Sequence, residues 1–274
     1  MKNFVFIGGD KRRQYAAQYV ADRGHGVTFA DDSPEFEAVV AKADYIVLPL
    51  PVSRDSVWVN SPLSLAPVTL SRVVRAARKG QTVFAGMPDA EFSESLKCKG
   101  VLLYDYYENE ALTILNSIST AEGVIFEITG NTDKNIHGSK IAVIGYGKAG
   151  SAIARRLAAL GAEVTVAARS ESARAQAVSD GCKAIPLYGL HEKAKSLDIV
   201  INTVPARVLE EDFIKNLPES CLIAEVASAP YGVDFEAAEK HGIRVLRMPG
   251  LPGRISPQSA GEAIAKTILG AVEI

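Results

Sequence analysis

The sequence predicts an α/β protein of two doubly wound domains with mainly parallel sheets, joined by a long helix. Three observations lead to this prediction. Short apolar runs alternate with helical patterns through both halves of the chain, which is typical of parallel sheets covered by helices on both faces. One βα turn in the second half is rich in glycine. A helical stripe of apolar residues over 108–127 separates the two halves.

In the first half, each apolar run is followed by a helical pattern or a loop. Strands are predicted at 4–7, 27–30, 45–50, 82–85 and 101–104. Helices are predicted at 11–23, from 33, at 69–78 and at 92–97. The helix from Ser33 is expected because Ser-Pro-Glu is typical of a helix start. The first strand ends in Gly8-Gly9-Asp10 with no third glycine, so no dinucleotide fingerprint is predicted there.

The second half repeats this alternation. Strands are predicted at 141–144, 164–167, 184–187, 199–203, 222–226 and 245–247. Helices are predicted at 151–160, 171–180, 191–196, 209–216, 235–241 and 256–272, and a loop at 248–254. We place the first domain at 1–125 and the second at 126–274. The last helix could pack back on the first domain.

The stretch 139–170 carries the main functional signal. Its glycines fit G-x-G-x-x-G between a predicted strand and a predicted helix, and a second strand follows. This Rossmann-like context favours dinucleotide binding. Gly145 allows a tight turn, Gly147 lets the backbone approach a diphosphate, and Gly150 lets the helix lie close to the strand. The predicted cofactor site also includes Tyr146, Lys148 and Ala149.

The end of the second strand of this unit indicates which cofactor binds. NAD enzymes usually carry Asp or Glu there, which accepts a hydrogen bond from the ribose 2′-hydroxyl. Here the stretch reads Ala-Ala-Arg-Ser at 167–170. Arg169 and Ser170 are suited to bind a 2′-phosphate, which predicts NADP(H). On the nicotinamide side, the predicted site residues are Thr203, Val204, Pro205 and Ala227.

Composition excludes several other classes of function. The chain has 274 residues, 47% hydrophobic and 23% charged, and a net charge of −2, as is typical of soluble globular proteins. With no basic run, no nucleic-acid partner is expected. With no leader or membrane span predicted, we expect a cytoplasmic protein. The cysteines 98, 182 and 221 do not have metal-ligand spacing, and no metal site is predicted.

Several segments match a known family. They are FIGGDKR near the start, LPLP at 48–51, DYYENEALTILNSISTAEGVI at 105–125, IHGSKIAVIGYGKAG at 136–150, INTVPA at 201–206, EVASAPYGVDF at 225–235 and MPGLPGRISPQSAGEAI at 248–264. With these segments the chain resembles the A subunits of dipicolinate synthase, the sporulation enzyme of endospore-forming Firmicutes. The family usually has DLAS where this chain has EVAS, so that Glu225 replaces an Asp.

The resemblance implies an NADP-linked oxidoreductase. Its substrate would be dihydrodipicolinate, from the lysine and diaminopimelate pathway, or the hydroxylated tetrahydro precursor of that compound. Its product would be dipicolinate, which is pyridine-2,6-dicarboxylate. A flavoprotein B subunit would be the partner, within a homo- or hetero-oligomer in the mother cell of a sporulating bacterium.

The residues also suggest where such a substrate would bind. A dicarboxylate is best matched by a bidentate Arg and by helix N-termini. The predicted substrate residues are Arg254, Ser256 and Gln258, at the start of the last helix, together with Ser53 and Arg54 in the loop 49–67. The general base cannot be read from the sequence. The candidates are His137, Tyr106 and Glu108.

Two other functions stay open at this point. One is a shikimate- or alanine-dehydrogenase-like enzyme that acts alone on another small carboxylate. The other is a nucleotide-binding scaffold protein without turnover of its own.

Overall fold

The computed structural model describes residues 1–64 and 66–272. The chain divides into two compact units, and one division between them falls inside a long helix. Unit 1 consists of Met1–Asn116 together with Ser256–Ile274, and unit 2 consists of Ser117–Ile255. The predicted boundary after residue 125 lies in the same helix. Unit 2 is therefore inserted in the sequence of unit 1.

Unit 1 contains a parallel sheet with the strand order β2-β1-β3-β4-β5. Its strands are β1 (Asn3–Ile7), β2 (Gly26–Ala30), β3 (Tyr45–Val47), β4 (Thr82–Ala85) and β5 (Leu102–Asp105). The helices between them are α1 (Arg12–Ala21), α2 (Phe36–Lys42), α3 (Leu70–Ala76) and α4 (Ala90–Cys98). A 3-10 turn at Tyr106–Glu108 leads into α5 (Glu110–Thr129).

Two predicted elements of unit 1 need correction. The helix expected from Ser33 begins at Phe36, and Ser33 contributes its carbonyl oxygen, not its hydroxyl, to the first turn. The strand expected at 45–50 ends at Val47. Pro49 and Pro51 follow within four residues, and a proline has no N–H to continue a strand ladder.

The last helix, α11 (Pro257–Val272), packs on α1 inside unit 1. Gly261 permits the close approach, because a Cβ at this position would lie 2.5 Å from the carbonyl oxygen of Arg12. Apolar residues of both helices, such as Val20 and Ile268, are fully buried in this contact. The helix therefore completes the core on one face of the sheet.

Unit 2 contains a second parallel sheet with the strand order β11-β10-β9-β6-β7-β8. Its strands are β6 (Lys140–Ile144), β7 (Glu163–Ala167), β8 (Lys183–Ile185), β9 (Ile199–Asn202), β10 (Leu222–Glu225) and β11 (Arg244–Arg247). Its helices are α6 (Lys148–Ala159), α7 (Glu171–Ser179), a 3-10 helix at Leu187–Ser196, α8 (Glu211–Ile214), α9 (Phe235–Lys240) and α10 (Leu251–Ile255). These two sheets and the long helix α5 confirm the predicted fold class.

Helix α5 is long and apolar enough, by length and composition alone, to cross a membrane. Three of its residues, Ala121, Val124 and Ile128, are fully buried in the core of unit 2. Core helices of soluble proteins show the same combination of length and hydropathy. Packing against the sheet therefore accounts for the apolar character of this part of α5.

The segment 248–254 is predicted to be a loop, but its second half belongs to α10 (Leu251–Ile255). Gly123 of α5 allows α10 to lie close, because a Cβ there would be 2.9 Å from Leu251 Cβ. Arg254 of α10 then pairs with Glu127 of α5 at 2.6 Å. These contacts hold α10 on α5 and explain why the segment is ordered as a helix.

Asp198 joins the amino ends of two central strands of unit 2. Its carboxylate accepts hydrogen bonds from Lys140 N at 2.8 Å and from Lys134 Nζ. Partial burial alone would raise the pKa of Asp198, but these hydrogen bonds outweigh it and lower that pKa. Asp198 therefore stabilises the fold above the ordinary aspartate pKa of about 4, and its contribution is lost as the pH falls through the lower folded-state value.

We expect Asp198→Asn to lower the free energy of unfolding at pH 7 and to differ less from wild type as the pH approaches 3. Urea unfolding of both proteins across this range measures the effect. A difference that grows on acidification would contradict the assignment.

Candidate functional site

One row of residues crosses the sheet of unit 2 at the carboxyl ends of its strands. Ala167 of β7 pairs with Ile144 of β6, Ile144 pairs with Asn202 of β9, Asn202 with Glu225 of β10, and Glu225 with Arg247 of β11. The strand order reverses beside β6. Ligands of doubly wound sheets bind at this kind of edge.

The turn after β6 needs glycine at its first position. Gly145 has φ +89°, a backbone conformation that side chains disfavour. A Cβ there would also lie 2.7 Å from Thr203 Oγ1 and 2.8 Å from Val204 Cγ2. The turn is also tied to the end of the neighbouring strand β7, because Gly145 N donates to the carbonyl oxygen of Ala167 at 2.9 Å. The fingerprint turn is therefore packed directly against the loop that follows β9.

The other two glycines serve different purposes. Gly150 is buried in the first part of α6, and a Cβ there would overlap the carbonyl oxygen of Gly145. Gly147 precedes α6, is exposed, and has no atom within 4 Å of an added Cβ. The first-turn N–H groups of a helix have no partner inside it. This open face in front of α6 fits the diphosphate of a dinucleotide.

Tyr146 lies in the same turn but turns its side chain away from it. Its hydroxyl donates to Asp180 Oδ2 at 2.8 Å, and its ring packs on the core formed by α6 and α7. Burial and the neighbouring carboxylate raise the pKa of Tyr146. Tyr146 therefore offers the site its backbone, while Lys148 and Ala149 begin α6.

The end of β7 carries positive charge and hydroxyl groups. Arg169 is exposed. Ser170 caps α7 by accepting a hydrogen bond from Ala173 N at 3.3 Å, and its Oγ is 2.6 Å from Ser172 Oγ. Arg174 donates to the carbonyl oxygens of Ala168 at 2.9 Å and Arg169 at 2.7 Å. Arg174 was not predicted from the sequence, although it lies one helical turn after the cap.

Loops after β9 and β10 are tied together by a buried carboxylate. Glu225 is 1% exposed. Its oxygens accept hydrogen bonds from Asn202 Nδ2 at 2.8 Å, Ala227 N at 3.0 Å, Gly232 N at 2.9 Å and Val233 N at 3.1 Å. Burial raises the pKa of Glu225, and these hydrogen bonds act in the opposite direction. The loop 226–234 therefore has a fixed shape.

The predicted nicotinamide-side residues lie on these two loops. Thr203 Oγ1 donates to the carbonyl oxygen of Ile144 at 2.7 Å, which anchors the loop after β9 to the fingerprint strand. Val204 and Ala227 are half-buried, and Pro205 is exposed. Both loops leave the carboxyl edge next to the glycine turn, so these residues are brought to one edge with it.

Two of the three candidates for the general base need correction. Tyr106 is 1% exposed and its hydroxyl donates to the carbonyl oxygen of Leu48 at 2.9 Å; burial raises the pKa of this phenol. His137 packs against Gly161, before β6, at the amino edge of the sheet. Neither side chain is available for chemistry at the carboxyl edge. Glu108 is exposed after β5 and stays a prediction.

The predicted substrate residues are placed as follows. Arg254 pairs with Glu127 inside unit 2. Ser256 precedes α11, and Gln258 donates to Glu262 at 3.0 Å on its first turns. Ser53 donates to Asp55 at 3.1 Å, and Arg54 Nε lies 3.4 Å from Asn60 Oδ1. Their roles toward a substrate stay predictions.

Unit 1 closes its own glycine turn with this loop. A Cβ at Gly8 would lie 2.5 Å from Ser61 Oγ and from Val59 Cγ1, and Gly9 N donates to the carbonyl oxygen of Asn60 at 2.8 Å. The loop is thus packed against the glycine turn of unit 1. Within residues 1–64 and 66–272, no group of three or more His, Cys, Asp or Glu is placed to bind a metal ion.

Comparisons with known proteins agree with this arrangement. Residues 3–107 match the family model for the N-terminal domain of the dipicolinate synthase A subunit. Residues 117–226 match the model for the NAD binding domain of D-isomer specific 2-hydroxyacid dehydrogenases. The second match covers the glycine turn and the loop after β9, and supports a nicotinamide dinucleotide cofactor and an oxidoreductase role.

The dipicolinate synthase A subunit of Bacillus subtilis (strain 168) is 34% identical over 275 residues, which cover 96% of this chain and 93% of the relative. The crystal structure of the dipicolinate synthase A subunit from Bacillus halodurans shares 29% identity, with a TM-score of 0.90 and coverage of 100% of this chain and 98% of that one. The crystal structure of the Bacillus subtilis protein shares 30% identity, with a TM-score of 0.86 and coverage of 99% and 96%. The chain therefore belongs to the family of dipicolinate synthase A subunits.

Proposed function

We propose that this chain is the NADP(H)-dependent dehydrogenase component of a dipicolinate-forming enzyme of sporulating cells. Its substrate is dihydrodipicolinate or the hydroxylated tetrahydro precursor, and it acts in the cytoplasm with a flavoprotein partner. The observation that carries the cofactor choice is the end of β7, where Ala167–Ser170 contains no carboxylate, includes Arg169, and accepts two backbone hydrogen bonds from Arg174.

The geometry of the glycine turn supports a dinucleotide. Gly147 leaves open space before α6, and Gly145 and Gly150 keep the turn tight against it. These residues and the first-turn N–H groups of α6 would bind the diphosphate. A bound nicotinamide dinucleotide would supply hydride transfer to or from the substrate. The protein's own contribution is to bind and orient both ligands.

A 2′-phosphate fits the groups after β7. The planar guanidinium group of Arg169 is suited to bidentate contact with phosphate oxygens. Arg174 adds a second positive charge and is held against the same segment by two hydrogen bonds. The hydroxyls of Ser170 and Ser172 lie at the N-terminus of α7, where the helix dipole favours an anion.

The proposal of a partner subunit is supported by the names of the relatives and by exposed apolar side chains. Relatives in the family are named as the A subunit of an enzyme, which implies that the enzyme has another subunit. The structure exposes several large apolar side chains, which mark interaction surfaces when they occur together. They include Val57, Trp58, Leu63 and Met87 in unit 1 and Phe126 in unit 2.

The cofactor assignment is tested by calorimetric titration of the full chain with NADPH and NADH. We expect NADPH to bind more tightly, and Arg169→Ala to weaken NADPH binding roughly 10- to 100-fold, as expected for loss of a charge-assisted hydrogen bond. The affinity for NADH should hardly change. Arg174→Ala should show the same selectivity with a smaller loss.

Arg78→Ala is the matched control, because Arg78 is exposed in unit 1. Equal affinities of the wild-type chain for NADPH and NADH would reject the NADP assignment. Binding of neither cofactor would favour a scaffold function or a cofactor site that only the flavoprotein partner completes. Turnover of another small carboxylate by the chain alone would favour the shikimate- or alanine-dehydrogenase-like alternative.

A further inference from the structure

Arg247 ends the last strand of unit 2 and is held between two aromatic rings. Its guanidinium carbon lies 3.9 Å from the ring centre of Phe235 and 5.2 Å from that of Tyr231. The two rings meet edge to face at 5.6 Å. Cation–π contacts of this kind fix the plane of a guanidinium group and leave the N–H groups at its edge free for other partners.

Those N–H groups have no protein acceptor in the part of the chain that the structure describes. Arg247 is exposed, and no residue among 1–64 and 66–272 accepts a hydrogen bond from it or forms an ion pair with it. Arg254 and Arg207 differ from it, because they pair with Glu127 and Asp234. An arginine that is fixed in place and keeps its donors free is suited to bind a carboxylate.

The tyrosine that contacts Arg247 is kept in a disfavoured backbone conformation. Tyr231 has φ +65°, which costs free energy for any residue with a Cβ. The conformation is held because Glu225 accepts hydrogen bonds from the two following residues, Gly232 and Val233. The buried carboxylate thus places an aromatic ring where glycine would suit the backbone better. Such retained strain points to a role for the ring.

Arg247 also lies at the carboxyl ends of the strands, the edge of the sheet where ligands of this fold bind. It pairs in register with Glu225, which pairs with Asn202, next to the fingerprint strand. Three strand spacings separate Arg247 from Ile144, about 14 Å. The loops after β9 and β10 lie between them, on the side away from Arg169. Arg247 is therefore placed beyond the nicotinamide-side loops.

We infer that Arg247, clamped by Tyr231 and Phe235, is a carboxylate-binding site for the cyclic dicarboxylate substrate. This inference rests on the proposed function for the identity of the substrate. The sequence predicted that Arg254 binds a substrate carboxylate, but the guanidinium of Arg254 is paired with Glu127. The inference gives this role to Arg247 instead.

The test uses dipicolinate as the probe and the full chain as the protein. Calorimetry measures dipicolinate binding with and without NADPH, and NADPH binding separately. We expect Arg247→Met to weaken dipicolinate binding roughly 10- to 100-fold, the range for removing a charged hydrogen bond. NADPH affinity should stay within about twofold of wild type, a change well below the loss of one hydrogen bond. Arg244→Met, at the other end of the same strand, is the matched control and should change neither affinity.

A second variant separates binding from folding. Tyr231→Gly removes the ring but suits φ +65°, so it should raise or keep the thermal unfolding temperature while it weakens dipicolinate binding. The inference would be overturned if Arg247→Met bound dipicolinate as tightly as wild type. It would also be overturned if the wild-type chain bound NADPH but not dipicolinate. If the wild-type chain did not bind NADPH, the proposed cofactor would be rejected instead. The dipicolinate titrations without NADPH would then still decide the role of Arg247.

Discussion

The variant Gly147→Ala is expected to bind NADPH at least about 10-fold more weakly than wild type, a loss of about 1.4 kcal/mol or more, while it folds equally well. An added Cβ at Gly147 meets no atom within 4 Å. The backbone there, with φ −80° and ψ −164°, is open to any residue. The methyl group instead occupies the space through which a diphosphate approaches the first turn of α6.

Gly150→Ala is expected to lose both cofactor binding and stability. An added Cβ would overlap the carbonyl oxygen of Gly145, and rotation of a side chain cannot relieve a clash with the backbone. Overpacking of a buried site typically costs about 1–3 kcal/mol. The turn would also have to shift, so that the shape of the diphosphate site changes.

Calorimetry with NADPH and thermal unfolding, run on both variants, separate the two effects. Gly147→Ala should lower only the affinity for NADPH. Gly150→Ala should lower both the affinity and the thermal unfolding temperature. If Gly147→Ala kept wild-type affinity, the diphosphate would not lie in front of α6. If Gly150→Ala kept wild-type stability, the packing of α6 against the turn would be looser than the structure shows.

Replacement of Glu225 has the second large effect that we expect. Glu225→Ala leaves three backbone N–H groups and the amide of Asn202 without their acceptor. Leaving a buried donor without its acceptor typically costs about 1–3 kcal/mol. The loop 226–234 would lose the hydrogen bonds that set its shape, so dipicolinate binding should fall together with stability.

Glu225→Gln tests whether the charge matters as well as the shape. It keeps the volume but turns one acceptor oxygen into an NH2 group that faces other N–H groups. We expect urea unfolding to show a clear decrease in the free energy of unfolding, but a smaller decrease than for Glu225→Ala. Glu239→Gln, on the exposed side of α9, is the matched control. Wild-type stability of Glu225→Gln would show that the carboxylate is not needed as an acceptor for all four donors.

Local sequence patterns were enough to predict the fold class and the fingerprint turn. Glycine spacing and the apolar run before it identify a strand, a turn and a helix because all three are close together in the chain. The side chains that cap α3 and α4, Thr69 and Asp89, were not predicted, but each accepts a hydrogen bond from a residue only three positions later. Patterns of this kind depend on neighbours within a few residues, and a single sequence contains them.

The remaining features depend on partners far apart in the sequence. Glu225 meets Asn202, 23 residues away, and Arg254 pairs with Glu127, 127 residues away. No local pattern distinguishes Arg254, which is paired, from Arg247, which is clamped between rings. Tyr106 was a candidate base because it follows a strand, and only its contact with Leu48 shows that it is buried. Whether a residue is available to a ligand therefore depends on packing between elements that are far apart in the sequence.

The division of unit 1 in the sequence affects the order in which the chain can fold on the ribosome. All residues of unit 2 leave the exit tunnel as one continuous segment, whereas unit 1 receives α11 only after the whole of unit 2 has been synthesised. Until then, the face of α1 that carries Ala16 and Val20 has no cover from Ile264 and Ile268. Unit 1 thus begins before unit 2 and is completed after it, and the nascent chain exposes this apolar face of α1 until α11 has followed unit 2.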